Sequence, residues 1–308
     1  MNASKNIAKR VNELINKYSN SPNSVQYLLC DQYPPNKLAY KIINENMQEY
    51  NLSYGELKTQ STLIANGLKK RGIKRGDRIA TLMGKSKEYI ITLLAIWRIG
   101  AVHVPLFTAF SPPAITLRVN GSNSKIVFCD QKQQSKLKPS DDFAPQSKLD
   151  VITTANFEQT PNWADRWEDL LDTNATVEEE VGLDPEAAII HIFTSGTTGE
   201  PKGVSLPVKA LACIEAYAEF AFDLRQTDIF WNAADPGWAY GLYCGILATL
   251  TTGTQAILFE GGFSAQATID IIEKQKITNF AAAPTVYRSL RADGVEISAK
   301  HRLCLLYT

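Results

Sequence analysis

Short apolar runs alternate with helix-periodic segments along most of this chain, and that alternation restricts its fold more than any other feature. Residues 38–43, 78–83, 101–105 and 125–129 read as strands, with helices over 53–72, 86–99 and 112–119. Ser53, followed three residues later by Glu56, has capping-box spacing, and Gly72 and Gly100 are placed to end helices. From residue 187 the pattern resumes: strand 187–193, helix 206–222, strand 228–232, helix 239–251 and strand 255–259. Helix 264–274, strand 277–282, helix 284–292 and a last strand over 300–307 follow. Strands joined through helices return by right-handed crossovers, so the expected class is α/β, two βαβ lobes with mostly parallel sheets. The lobes are expected at about 38–150 and 185–308, joined by a polar connection. Residues 131–146, polar and proline-containing, read as exposed.

Composition excludes several classes. Lys+Arg and Asp+Glu are each 32, so no net charge draws the chain to nucleic acid or an anionic membrane. The uncharged stretch 236–259 is long enough to span a bilayer, but its four glycines, four threonines and Gln255 split it into helix, turn and strand. The first 19 residues form a charged helical pattern and lack the apolar core of a secretory signal, so a cytoplasmic location is the default. Cys30, Cys129, Cys213, Cys244 and Cys304 form no CxxC pair and read as buried free thiols. His103, His191 and His301 have no metal-ligand spacing, so no metal-ligating residues are assigned.

The chemistry-bearing stretch is Thr194-Ser195-Gly196-Thr197-Thr198-Gly199-Glu200-Pro201-Lys202-Gly203. Read between a strand and a helix, it offers backbone N–H groups to an anion. Its three glycines admit close backbone approach, four hydroxyls add donors, and Lys202 adds a positive charge. On composition alone a mobile surface turn is an equal alternative. The Walker pattern is not met here, because Pro201 stands five residues after Gly196. Nor is it met at Gly84-Lys85-Ser86, where Ile79 occupies the upstream glycine position.

The whole string resembles the phosphate-binding signature of the AMP-forming acyl-CoA synthetase and adenylation superfamily. Further stretches resemble the same family: Leu52–Leu57, Trp97–Leu106, Ala233-Ala234-Asp235-Pro236-Gly237-Trp238-Ala239-Tyr240-Gly241 and Ala282-Ala283-Pro284-Thr285-Val286-Tyr287. Leu106-Phe107-Thr108-Ala109-Phe110 is most similar to the acetyl- and medium-chain acyl-CoA synthetase branch. The likeness covers about residues 25–303. It implies that the chain is the incomplete N-terminal domain of the adenylate-forming fold, an AMP-binding domain over 1–308. It implies a ligase in which a carboxylate and ATP give an acyl-adenylate and pyrophosphate, and coenzyme A then takes the acyl group, with Mg²⁺ as cofactor.

By the same resemblance Thr194, Ser195, Gly196, Thr197, Thr198, Gly199 and Lys202 hold the nucleotide's phosphates. Trp238, Gly241, Ala283, Pro284 and Thr285 border the small-molecule carboxylate. Gly237, Gly241 and Gly245, spaced by four on one helix face, leave room for a substrate or for another backbone. Two departures stand out. Glu200 puts a negative charge in the phosphate loop, and the sequence ends at Thr308 before the family's adenine, ribose and catalytic-lysine segments. No catalytic residue is therefore assigned, and this chain is not expected to complete acyl-CoA synthesis alone. The second reading is a non-catalytic remnant with weak nucleotide or phosphate binding, or a piece completed by a separately encoded C-terminal portion.

Overall fold

Ser53 and Glu56 exchange the two bonds of a capping box: the Ser53 hydroxyl accepts from the Glu56 amide at 3.2 Å, and the Glu56 carboxylate from the Ser53 amide at 2.9 Å. Gly72 and Gly100, at φ +81° and +67°, end two helices in the left-handed region that a side chain disfavours. The computed structural model describes residues 2–20, 24–171, 182, 184–194, 201–293 and 304–305. Its helices are α1 (Asn2–Ser19), α2 (Tyr54–Lys70), α3 (Lys87–Arg98), α4 (Pro112–Ser122), α5 (Leu211–Phe220), α6 (Ala248–Thr252), α7 (Ala265–Gln275) and α8 (Pro284–Ala292). The first strands are β1 (Leu38–Ile43), β2 (Glu49–Ser53), β3 (Arg78–Leu82), β4 (Val102–Pro105), β5 (Ser124–Cys129), β6 (Asp150–Thr153) and β7 (Asp165–Arg166). They are followed by β8 (Ala188–Thr194), β9 (Lys202–Pro207), β10 (Ile229–Asn232), β11 (Gln255–Phe259), β12 (Asn279–Ala281) and β13 (Cys304–Leu305).

The strands form two sheets. One runs β7-β6-β5-β3-β4-β8-β9, parallel except where β9 returns against β8. The other runs β13-β12-β10-β11-β1-β2, parallel except where β2 returns against β1. The segments 38–150 and 185–308, expected as separate lobes, thus exchange strands: β1 and β2 join the later sheet, and β8 and β9 join the earlier one. The reason is register. Tyr40 to Ile43 pair with Ala256 to Phe259, and His103 pairs with Ile190.

A continuous core of buried residues, including Leu57, Trp97, Ile190, Leu247 and Leu258, draws on both sheets. Within it the Trp97 indole donates to the Ile189 carbonyl at 3.0 Å, tying α3 to the strand that leads into the hydroxyl-rich loop. Helix α1 lies on α5 through a charged contact. Arg10 bonds Glu219 at 2.9 Å, Lys17 meets Glu215 at 2.8 Å, and the Tyr18 hydroxyl donates to the same Glu215 carboxylate.

Three expectations need correction. The helix expected over 206–222 starts only at Leu211, after a short helical turn over Val208–Ala210. Strand β9 precedes it, because Gly203 to Leu206 complete a ladder with β8 and Pro207 cannot continue a helix with its own N–H. Strand β9 therefore stands between the hydroxyl-rich stretch and helix α5, and the described end of that stretch, Lys202 and Gly203, is extended rather than the start of a helix. The helix expected over 239–251 has π-helical geometry over Tyr240–Leu247 and is α-helical only over Ala248–Thr252. The connection 131–146 is anchored rather than wholly exposed, since Leu137 and Phe143 pack among Val104, Leu106 and Val119.

Candidate active site

Parallel strands deliver their following turns to one edge of a sheet, and ligands of open α/β sheets bind at that edge. Here the carboxyl-terminal edges of the two sheets meet. Between them lies a cavity of about 520 Å³, lined by Lys85 after β3, Thr108 after β4, Asp130 after β5, Asp235 after β10 and Glu260 after β11. Asp130 shapes one wall by accepting from the Gly84 amide at 2.8 Å.

The segment 233–238 is fixed at this junction from both sides. On its own sheet, the Ala233 amide donates to the Ala281 carbonyl at 2.9 Å, and the Asp235 carboxylate accepts from the Gly237 amide at 2.7 Å. From the opposite sheet, the Lys85 amine donates to the Ala233 carbonyl at 2.9 Å. The Tyr89 hydroxyl donates to the Pro236 carbonyl at 3.2 Å, and the Thr108 hydroxyl donates to Asp235. Burial pushes the Lys85 amine down to about 8, against the pull of the nearby Asp235 charge. Burial likewise raises the Asp235 carboxyl above its usual range, although the bonds from Thr108 and Gly237 oppose the rise. Nearby, His103 is buried with Nε2 at 2.8 Å from the Thr81 hydroxyl, and burial holds its imidazole down to about 3. A neutral imidazole in that setting is part of the core.

Of the residues expected at the phosphates, Thr194 is exposed at the end of β8, directly opposite exposed Lys202 at the start of β9. Ser195, Gly196, Thr197, Thr198, Gly199 and Glu200 lie outside the described residues. On the acid side, Trp238 is 55% exposed and meets the Phe107 ring edge-on with centroids 5.2 Å apart. Ala283, Pro284 and Thr285 follow β12, the parallel neighbour of β10, so their turn and the 233–241 segment leave the same edge side by side. Ala283 is half-buried, and Pro284 and Thr285 are exposed.

The glycines of this segment are close-packing positions. A Cβ on Gly237 would stand 2.2 Å from the Leu106 carbonyl oxygen, and one on Gly241 would stand 2.0 Å from that of Asp235. One on Gly245 would meet the Asn232 side chain at 3.2 Å. Of the two uses expected for them, these contacts show the close approach of backbone or side chain. Lys85 and Tyr89 were not among the expected site residues. Their only signal is a lysine and a tyrosine just beyond a strand's carboxyl end, and nothing in their spacing points to residues 233–236.

Residues 30–305 match the sequence profile of the family described as AMP-binding enzyme, which is most of the chain. The chain belongs to the AMP-binding enzyme family. Among curated relatives, the acetyl-coenzyme A synthetase of Chlorobaculum tepidum is 35% identical over 291 residues, covering 88% of this chain and 44% of that protein. That of Pseudoalteromonas translucida is 32% identical over 276 residues, covering 83% and 42%. Among solved structures, the Brucella canis acyl-CoA synthetase superposes with a TM-score of 0.83 at 36% identity, covering 92% of this chain and 52% of that one. The chain therefore has the α/β fold of acyl-CoA synthetases, and it spans less than half the length of these curated relatives. Among its described residues no helix is long and apolar enough to cross a membrane.

Proposed function

We propose that this chain carries the phosphate-binding and acid-binding side of an AMP-forming carboxylate–coenzyme A ligase. One observation carries the reading: the hairpin register sets Thr194 against Lys202 at the carboxyl end of β8. This end lies beside β4, whose following turn, through Leu106 and Thr108, meets the 235–237 segment. A hydroxyl and a cation thus face each other at the end of the β8–β9 ladder, on the edge where the acid's wall is proposed. In the reaction proposed, a carboxylate oxygen bonds to the α-phosphorus of ATP while the bond to the bridging oxygen breaks and pyrophosphate departs. The thiol of coenzyme A, losing its proton, then attacks the acyl carbon, and AMP leaves with the bonding pair. Such transfer depends on positioning and on neutralising developing charge. Thr194 and Lys202, with Ser195, Gly196, Thr197, Thr198 and Gly199, are assigned to the β- and γ-phosphates. Trp238, Gly241, Ala283, Pro284 and Thr285 are assigned to the acid's surroundings. Mg²⁺, which the family resemblance implies, is assigned to the nucleotide's phosphates. Cys30 and Cys129 are buried free thiols, whose pKa values burial pushes up to about 12, but Cys244 is half-buried and Cys213 exposed, against the expectation that all are buried. The two buried thiols support a reducing, cytoplasmic setting.

A second reading is that the chain binds phosphates without turning over alone, or acts with a separately encoded C-terminal portion. ATP–pyrophosphate exchange over a panel of short and medium carboxylates, paired with pyrophosphate binding by calorimetry, separates the two. Carboxylate-dependent exchange by the chain alone would establish the ligase half-reaction and exclude the second reading. Pyrophosphate binding that is lost in Lys202→Ala, without exchange, would support the second. Neither binding nor exchange would overturn both.

A further inference from the structure

Three side chains beside one sheet converge on three residues within 233–236 beside the other. Lys85 reaches the Ala233 carbonyl, Tyr89 the Pro236 carbonyl and Thr108 the Asp235 carboxylate, each across more than 120 positions of sequence. Asp235 in turn fixes the Gly237 amide, immediately before Trp238. Met has nearly the length of Lys without its charge, and drawing an ammonium out of water is costly unless something there uses it. What the amine does here is visible: it spans the boundary between the sheets to a backbone carbonyl. It faces Asp235, while Glu88, Asp130, Lys132 and Glu260 line the same cavity.

We propose that Lys85, with Thr108, is a positioning residue that sets the Trp238 wall from the opposite sheet. The consequence for acid selection rests on the proposed function; the placement itself does not. Neither side chain is assigned contact with nucleotide or acid. They act through the 233–237 segment, and the direction of the Trp238 ring is their output.

The test is ¹⁹F NMR of the full chain labelled with 5-fluorotryptophan. Its five tryptophans give five lines, and Trp238→Phe identifies the one that matters. In Lys85→Met and Thr108→Val the Trp238 line is expected to shift or split while the other lines hold, and Lys85→Arg is expected to restore it. An unmoved Trp238 line in both variants overturns the proposal. So does a common shift of all five lines, which would mark a general structural role, and so does a Lys85→Arg line displaced as far as that of Lys85→Met. Should Lys85→Met fail to fold, Thr108→Val and Lys85→Arg carry the decision. The measurement needs no turnover. A chain without pyrophosphate binding or exchange would remove the functional reading and leave the clamp standing, whereas an unmoved line would do the reverse.

Discussion

The β8–β9 hairpin and the 233–241 segment both carry sequence motifs, yet they are held by different means. The hairpin has its own backbone ladder, from Ala188 against Pro207 to Thr194 against Lys202; β8 is also held by β4 and by the Trp97 indole, while Lys202 to Ser205 of β9 are exposed. The 233–241 segment is held by side chains and close backbone contacts from a different sheet. Substitutions should therefore propagate from the second region and stay local in the first.

The largest break is expected at Gly237→Ala. The new methyl would fall within 2.6 Å of three backbone atoms of Leu106 and Phe107, which cannot rotate away. Urea unfolding should show a loss of about 3 kcal/mol. Next comes the pH dependence of Lys85. Its folded pKa is depressed to about 8 from 10.5, so between those values the unfolded chain holds more protons than the folded one. Stability should therefore rise with pH across that window relative to Lys85→Met, and equal slopes for the two proteins would contradict the burial of the amine. Tyr89→Phe removes the buried donor to Pro236 and should lower stability by about 1–2 kcal/mol. In the hairpin, Gly203→Ala sharpens the contrast. Its methyl would meet the His191 ring at 2.3 Å, but a side chain can turn, so about 1 kcal/mol is expected by the same denaturation. Equal losses at Gly237 and Gly203 would erase the distinction between the two regions.

Much of the fold was legible because local chemistry and global packing agree. The Ser53–Glu56 box, the glycine stops at 72 and 100, and strand 255–259 stand where the residues themselves dictate. Strand β9 was missed because Val204 and Leu206 suit a helix as well as a strand, and only pairing with β8 decides between them. The exchange of β1 and β8 between sheets was missed for a related reason: alternation says that strands exist, not which neighbour each one takes. Of the residues proposed for the site, Trp238 and Lys202 lie within local motifs and could be picked out by position. Lys85 could not, because its role is a hydrogen bond to a backbone carbonyl, and any residue may supply a carbonyl.

The pairing of Tyr40 with Ala256 has a consequence for how the chain is made. At synthesis rates of roughly 5–20 residues per second, β1 and β2 leave the ribosome some tens of seconds at most before β11 can join them. During that interval the hairpin they form has an unpaired edge, whereas β3, β4 and β5 can pair as soon as they emerge. Birth order thus favours the sheet that carries Lys85 and Thr108 as the first to assemble, and the Trp238 segment arrives later onto a clamp already in place.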